Sequence, residues 1–457
     1  MARSLATPKQ ASFSVIAVTS MMLFSMFFGA GNLIFPPMLG VQAGENFIPA
    51  IAGFITTGVL LPALAVIAIA LSGNDMRALT MRGGKIFGLI FPVLVYLSIG
   101  VFYALPRTAA VSFSTIITPN FGWDGIGARI LFSLAFFVIA LALSFEPSGI
   151  VDKLGKYLTP LLLILLVLLI AIAAFNFEPG ANHAQKTYVD SPFVTGFVEG
   201  YLTMDSLAGL AFGIMCVNAV REKGIMGKTE VVKAIILSAV AACMILGGIY
   251  LGLGVLGNGT VNGAGFADGA ILLATVSGQL MGPAGAVVFG LIVFLACMST
   301  AVGLMGSAAE YFNATVPKIS YKVWLVIISF VGFLVSISSL ETILAIAGPI
   351  IGLLYPSAIT LIFLAILQNF VARRLDMTFK LALIVSMIWA LLMCLDSLGW
   401  GSAVIAPMIS WAPGYQEQLS WTLPTLVAAG IGAAIDFSHK VPLAKNENHD
   451  EVLASTN

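Results

Sequence analysis

Apolar residues in this chain fall into long runs instead of alternating with polar ones. A helix needs about 20 apolar residues to cross the hydrocarbon core of a bilayer. On that measure the pattern predicts about twelve spans, at 14–42, 47–72, 86–117, 128–145, 154–175, 192–220, 230–256, 282–312, 322–338, 341–368, 379–396 and 421–437. The longest exceed what a straight helix requires, so they must tilt, bend or break. The polar stretches between runs are short. The largest on one side are 176–191, 257–281 and 397–420. Stretch 257–281 is Gly-rich and partly apolar, with room for a short re-entrant or interfacial helix. The first run follows Arg3 and Lys9 but continues through Phe35 and Leu39, so it reads as a retained helix, not a cleaved leader.

Composition adds the solvent. The chain is 59% hydrophobic and 9% charged, with mean hydropathy +1.04. A soluble domain carries about 25% charged residues. The surface of this chain must therefore face lipid, as an all-α polytopic membrane protein. Lys+Arg and Asp+Glu balance at 21 each. That leaves no basic excess for nucleic acid, and nothing points to an obligate protein partner.

Charge also orients the chain. With the N-terminus inside, one side collects Arg3, Lys9, Arg77, Arg82, Lys85, Lys153, Lys156, Arg221, Lys223, Lys228, Lys233, Lys318, Lys322, Arg373, Arg374, Lys380, Lys440 and Lys445. Arg129 and Lys186 fall outside, and Arg107 falls within a span. This asymmetry follows the positive-inside rule and requires an even number of spans with both ends cytoplasmic. Residues 1–440 form a single transmembrane domain, and 441–457 a polar cytoplasmic tail.

Four motifs interrupt the apolar pattern. FFGAGNLIFPP, Phe27 to Pro37, puts weak helix formers and two prolines into the first run. Broken backbone at membrane depth must line a cavity or be buried in protein. EGYLTMDSLAGLAFG, Glu199 to Gly213, puts Asp205 near the middle of the sixth run. A carboxylate at that depth marks a functional site or a structural ion pair, with Arg107 as its candidate partner. LACMSTAVG, Leu295 to Gly303, carries the adjacent hydroxyls Ser299 and Thr300. Such hydroxyls bond the preceding helical turn or ligate a hard cation such as sodium. FYALPRTAAVSFS, Phe102 to Ser114, sets Tyr103 and Arg107 four apart on one helix face. Arg107 can close an outer gate, pair with Asp205 or snorkel outward.

Interruptions in the first and sixth runs suggest two five-span halves. An odd number of spans per half inverts the second half in the membrane, the architecture of secondary transporters. Residues 14–175 form the first repeat, 192–368 the second, and 379–437 two additional C-terminal helices. Other chemistries fit poorly. GLGVLG, Gly252 to Gly257, follows a helix where a dinucleotide fingerprint needs a strand. The cysteines Cys216, Cys243, Cys297 and Cys394 are scattered, and His183, His439 and His449 lie in loops or the tail. No catalytic constellation, covalent cofactor or metalloenzyme site is expected. A channel would need more polar pore-lining residues than the spans offer.

SMFFGAGNLIFPP, FYALPRTAAVSF and EGYLTMDSLAGLAFG resemble the bacterial branched-chain amino acid:cation symporters, from the first span to about the tenth. That family belongs to the amino acid–polyamine–cation superfamily, whose five-plus-five inverted repeat is typified by the bacterial leucine transporter. The resemblance implies uptake of leucine, isoleucine and valine with sodium or protons, across the cytoplasmic (inner) membrane. A four-helix group of spans 1, 2, 6 and 7 would rock between outward- and inward-open states. The resemblance puts the substrate at the Gly29–Ala30–Gly31–Asn32 break, with the Ala30 and Gly31 N–H groups on its carboxylate. Thr203, Asp205 and Tyr103 are further substrate contacts, with Tyr96 the rival of Tyr103. A sodium site would use the carbonyls of Ser25, Phe28 and Ala296 and the hydroxyls of Ser299 and Thr300. Sodium is favoured over the proton as coupling ion, and another neutral amino acid or a nucleobase is the rival substrate.

Overall fold

The computed structural model is all-helical and describes residues 12–73, 75–123, 125–145, 159–176, 182–261, 263–266 and 268–438. Its principal helices are α1 (Phe13–Phe27), α2 (Ala30–Ala43), α3 (Phe47–Ile55), α4 (Leu61–Ser72), α5 (Lys85–Leu97), α6 (Ala104–Phe121), α7 (Ile126–Ser144), α8 (Thr159–Asn176) and α9 (Pro192–Glu199). There follow α10 (Asp205–Glu222), α11 (Lys228–Asn258), α12 (Gly269–Met281), α13 (Pro283–Thr315), α14 (Tyr321–Ser336), α15 (Leu340–Leu367), α16 (Asp376–Ser397) and α17 (Thr422–Ser438). Among the described residues, seven helical stretches are long and apolar enough to cross a membrane, or eight if the bent pair at 192–222 is one span. Each apolar run read from the sequence is helical over most of its described residues. The start of the 154–175 run, Arg3, Lys9, Lys153, Lys156, His439, Lys440, His449 and the 441–457 tail lie outside the described residues. The Gly-rich stretch after Gly257 does contain a short helix, α12, whose N-cap Asp268 accepts from the Ala270 and Ile271 N–H groups at 2.8 and 2.9 Å.

The long runs bend in two ways. The first and sixth break outright, as the next section describes. The second and third stay helical but widen into π turns at Thr56–Leu60 and Ser98–Phe102. Such turns are rare in helices and concentrate at functional sites. The first sends Thr57 to α9, where its hydroxyl donates to the Phe197 carbonyl at 2.6 Å. The second ends at Tyr103, the N-cap of α6.

The prolines behave differently from the sequence expectation. Pro36 and Pro37 lie inside α2, and the break sits earlier, at Phe28–Gly29. Proline lacks the N–H that would reach four residues back. The pair therefore removes the helical donors to the Asn32 and Leu33 carbonyls without ending the helix, which close packing supports on its other faces.

Packing divides the helices nearest the breaks into two groups. In one, α2 and α1 lie along α11, α3 along α9, and α4 along α10. In the other, α13 packs on α6 and α7, and α14 packs on α7. The first group is held by reciprocal glycine contacts. A Cβ on Gly257 would stand 2.0 Å from the Pro37 carbonyl oxygen, and one on Gly40 2.0 Å from that of Gly254. Gly53 and Gly196 make the same exchange with the Phe193 and Ala50 carbonyls. In lipid no hydrophobic force drives helices together, so close backbone approach through small residues supplies the attraction. The GLGVLG glycines thus serve packing. Asn258 secures the end of the contact, donating to the Gly40 and Gly44 carbonyls at 3.0 and 2.7 Å.

Gly257→Ala should destabilise the protein by about 1–3 kcal/mol, the cost of overpacking a filled contact. Gly247→Ala, on the same helix with nothing within 4 Å of a new Cβ, should not. Thermal unfolding of the two purified variants checks the difference, and equal melting temperatures would refute the packing argument.

Candidate functional site

The site begins where α1 stops. Phe28 and Gly29 are extended, and α2 restarts at Ala30. Asn32 caps the restart, its Oδ1 accepting from the Gly29 N–H at 3.1 Å. A helix leaves its first N–H groups without intrahelical partners, with partial positive charge concentrated there. The Ala30 and Gly31 N–H groups belong to that set. At the other lip of the break, the last carbonyls of α1 carry the complementary negative charge.

The second break lies in the sixth run. α9 passes into a 3-10 turn at Gly200–Thr203, Met204 turns left-handed at φ +64, and α10 starts at Asp205. The two arms bend by 46°. A non-glycine residue at that φ costs on the order of 1–3 kcal/mol and persists where its surroundings enforce it. The Thr203 hydroxyl ties the turn, donating to the Gly200 carbonyl at 2.9 Å and accepting from the Asp205 N–H at 3.4 Å.

One side chain joins the breaks. Asn32 Nδ2 donates to Asp205 Oδ2 at 2.6 Å and also to the Tyr250 hydroxyl. Tyr250, on α11, donates to the same carboxylate oxygen at 3.0 Å. Asn32 and Asp205 are buried, at 1% and 3% exposure. Asp205 does not pair with Arg107: among the described residues no carboxylate lies within 4 Å of its guanidinium. Arg107 instead donates to the Leu202 and Thr203 carbonyls at 2.8 and 3.2 Å and to the Tyr103 hydroxyl at 2.6 Å. At 3% exposure it does not snorkel. The second break is thus compensated at both lips, with a carboxylate at the new helix start and a guanidinium on the carbonyls of the old helix end. The first break carries no charged side chain of its own.

The two glycines of the first motif now have distinct reasons. A Cβ on Gly31 would stand 2.6 Å from Arg107 Nη2, and one on Gly29 2.6 Å from Thr300 Oγ1. Gly31 leaves a slot for the guanidinium, and Gly29 lets α13 reach the open end of α1. There the Thr300 hydroxyl donates to the Phe28 carbonyl at 3.2 Å. The Ser299 hydroxyl lies 2.9 Å from the Ala296 carbonyl and 3.4 Å from that of Ser25. These five residues, expected from the sequence to act together, do converge. Ser25 Oγ is buried and has no hydrogen-bond partner among the described residues. Three carbonyls and the Ser299 and Thr300 hydroxyls are oxygen groups of the kind that can hold a hard cation, with no carboxylate among them.

Between the breaks lies a cavity of ≈ 20 Å³, lined by Gly29, Ala30, Asn32, Arg107, Thr203, Asp205 and Thr300 among others, with Met26, Phe27, Ile99, Ala104, Ala208 and Leu304 as apolar walls. About 10–15 Å³ suffices for one water, so the cavity is nearly closed. Tyr103 is buried beside it but spends its hydroxyl on Arg107 and, at 3.4 Å, the Leu202 carbonyl. Tyr96 is elsewhere, stacked on Tyr311 and donating to the Ala211 carbonyl. Tyr250 was missed in the sequence. Its one available signal was a polar-tipped aromatic four residues before Gly254, on the face that α11 turns to α2.

The profile described as branched-chain amino acid transport protein matches residues 12–439. The branched-chain amino acid permease BrnQ of Corynebacterium glutamicum is 46% identical over 93% of this chain and 96% of its own length. The permease BraB of Bacillus subtilis is 36% identical over 91% and 94%. In fold, the chain is similar to Mhp1, a nucleobase-cation-symport-1 family transporter, solved closed with bromovinylhydantoin bound (TM-score 0.56, 18% identity, covering 94% of each chain). A manganese transporter of Eremococcus coleocola is similar at TM-score 0.50 and 14% identity, covering 99% of this chain and 93% of that one. Two helices broken face to face, with a small polar cavity between them, sit in a chain matched along nearly its whole length: the protein belongs to the branched-chain amino acid transport protein family, a family of multi-pass membrane transporters and not of enzymes.

Proposed function

We propose that this protein carries leucine, isoleucine and valine into the cell together with sodium, by alternating access. The observation that carries the reading is the asymmetry of the two breaks. The second is neutralised by Asp205 and Arg107, whereas the lips of the first are met by neutral groups only, the Asn32 amide and the Ser299 and Thr300 hydroxyls. A zwitterion and a cation supply what the first lacks. The substrate carboxylate meets the Ala30 and Gly31 N–H groups, with Arg107 adjacent, and its ammonium meets the Asp205 side. The aliphatic side chain meets Ile99, Ala104 and Leu304. One methylene is worth only about 1–3 kcal/mol in such a pocket, so discrimination among the three substrates is weak.

Sodium binds at the carbonyls of Ser25, Phe28 and Ala296 and the hydroxyls of Ser299 and Thr300. The hydroxyls now donate to those carbonyls, and a cation turns their lone pairs inward. It thereby ties α1 to α13, one helix from each packed group. Substrate bound across the breaks and cation bound between the groups favour the same arrangement, which is all that coupling requires. A cavity of ≈ 20 Å³ must widen to admit an amino acid, and rocking of the α1–α4, α9–α11 group against α6, α7, α13 and α14 widens it. In this reading the chain makes twelve spans in two inverted five-span repeats plus two, with both ends on the cytoplasmic side of the inner membrane. The proton is the second reading, favoured by one observation: Asp205 is the carboxylate lining the cavity.

Leucine uptake into proteoliposomes should follow an imposed sodium gradient, and uptake driven by a pH gradient alone would replace sodium with the proton. Ser299→Ala with Thr300→Ala should raise the sodium concentration for half-maximal uptake about tenfold or more, equivalent to about 1.4 kcal/mol. Unchanged sodium activation would remove the pair from the site. Asp205→Asn keeps the shape of the group but replaces an acceptor facing two donors, and should abolish uptake in protein that remains folded. Retained uptake with unchanged KM would make Asp205 structural.

A further inference from the structure

The Gly200–Thr203 turn has two faces. Thr203 lines the central cavity, while Tyr201 and Leu202 line a second one of ≈ 520 Å³. This cavity is closed on its far sides by α15, α16 and Trp421. Its size falls in the range of small-molecule sites, about 300–1,000 Å³. Its walls are mainly apolar, with Ile351, Met393 and Leu398 among them.

The polar groups of the second cavity are of two kinds. Tyr201 and Trp421 are 5% and 6% exposed, and neither the Tyr201 hydroxyl nor Trp421 Nε1 has a hydrogen-bond partner among the described residues. Burying such a donor unpaired costs about 1–3 kcal/mol. Residues that carry acceptors line the same space. Glu199 is one, its carboxylate in reach of the Tyr188 hydroxyl. Pro349 and Pro356 interrupt α15, and each removes the helical donor to the carbonyl four residues earlier. Those carbonyls belong to Ala345 and Gly352, both on the cavity wall. Donors for an anion, acceptors for a cation and an apolar remainder describe a zwitterion with an aliphatic body.

We propose that this cavity is a second binding site for a neutral aliphatic amino acid, distinct from the central one. The choice of amino acid rests on the function proposed above. In the topology of that proposal the cavity opens toward the outside, where incoming substrate is met first. Its occupant acts on the central site through one turn. Tyr201 stacks on Tyr355 of α15 at 4.3 Å between ring centres, and the Leu202 carbonyl, on the next residue, is held by Arg107. An amino acid seated against Tyr201 and Leu202 fixes the carbonyls that position Arg107, so filling the second site steadies the first.

Glycine 352 supplies the test, since a Cβ there meets nothing within 4 Å. Gly352 itself lines the cavity, so a larger side chain there takes up its space. Equilibrium binding of radiolabelled L-leucine to the full protein in lipid nanodiscs, with sodium, should give two equivalents. Gly352→Phe and, independently, Glu199→Gln should each give one, the retained equivalent showing that the variant is folded. One equivalent in the wild-type protein, or two in both variants, would overturn the second site and leave the transport reading intact. A bound lipid released by Gly352→Phe, with one leucine in both proteins, would overturn it likewise. No leucine bound by the wild-type protein would overturn both proposals.

Discussion

Everything near the centre of this protein follows from the cost of leaving a main-chain N–H or carbonyl unpaired in hydrocarbon. Two helices stop and restart inside the molecule, so four sets of backbone ends need partners away from water. The second break finds its partners within the chain. Asp205 answers the N–H end and Arg107 the carbonyl end, and Asn32 and Tyr250 hold the carboxylate in place. The first break is answered by neutral groups only, a capping amide and two hydroxyls from α13. That difference gives the protein one rigid wall and one chemically receptive wall.

Packing serves the same end. The glycine exchanges between α2 and α11 and between α3 and α9 hold the broken helices to unbroken neighbours. A break can then be kept open without the arms collapsing together. The π turns deliver Thr57 and Tyr103 to the breaks from spans that stay continuous. The strain at Met204 is tolerated because Thr203 ties both sides of it.

Much of the fold was legible in the sequence because membrane burial writes itself as long apolar runs, and their limits agree with the helices to within a few residues. The first break was legible through Gly29, Gly31 and Asn32, weak helix formers in an apolar setting. Its position was obscured by Pro36 and Pro37, since proline's local preference is overridden where neighbouring helices support the backbone. The hydroxyl pair at Ser299 and Thr300 became meaningful through resemblance, because membrane serines and threonines usually bond their own helix. Tyr250 and the partners of Arg107 were not legible. Those contacts join residues 218 and about 95 positions apart, and nothing local records them. The cavity beside Tyr201 was invisible for the same reason, being assembled from four separate parts of the chain.

The prolines of α2 have a mechanical consequence. Without donors to the Asn32 and Leu33 carbonyls, the first turn of α2 is joined to the rest by a ladder missing two rungs. Each rung is worth roughly 0.5–1.5 kcal/mol net. A swivel at that point therefore breaks no rung of the helix ladder at those two carbonyls, and only the Asn32 side chain holds the turn to Asp205 and Tyr250, while the remainder of α2 stays clamped to α11 by Gly40 and Gly257. The turn carrying Ala30 and Gly31 is a compliant joint on a stiff arm, able to follow a ligand without dragging its whole helix along.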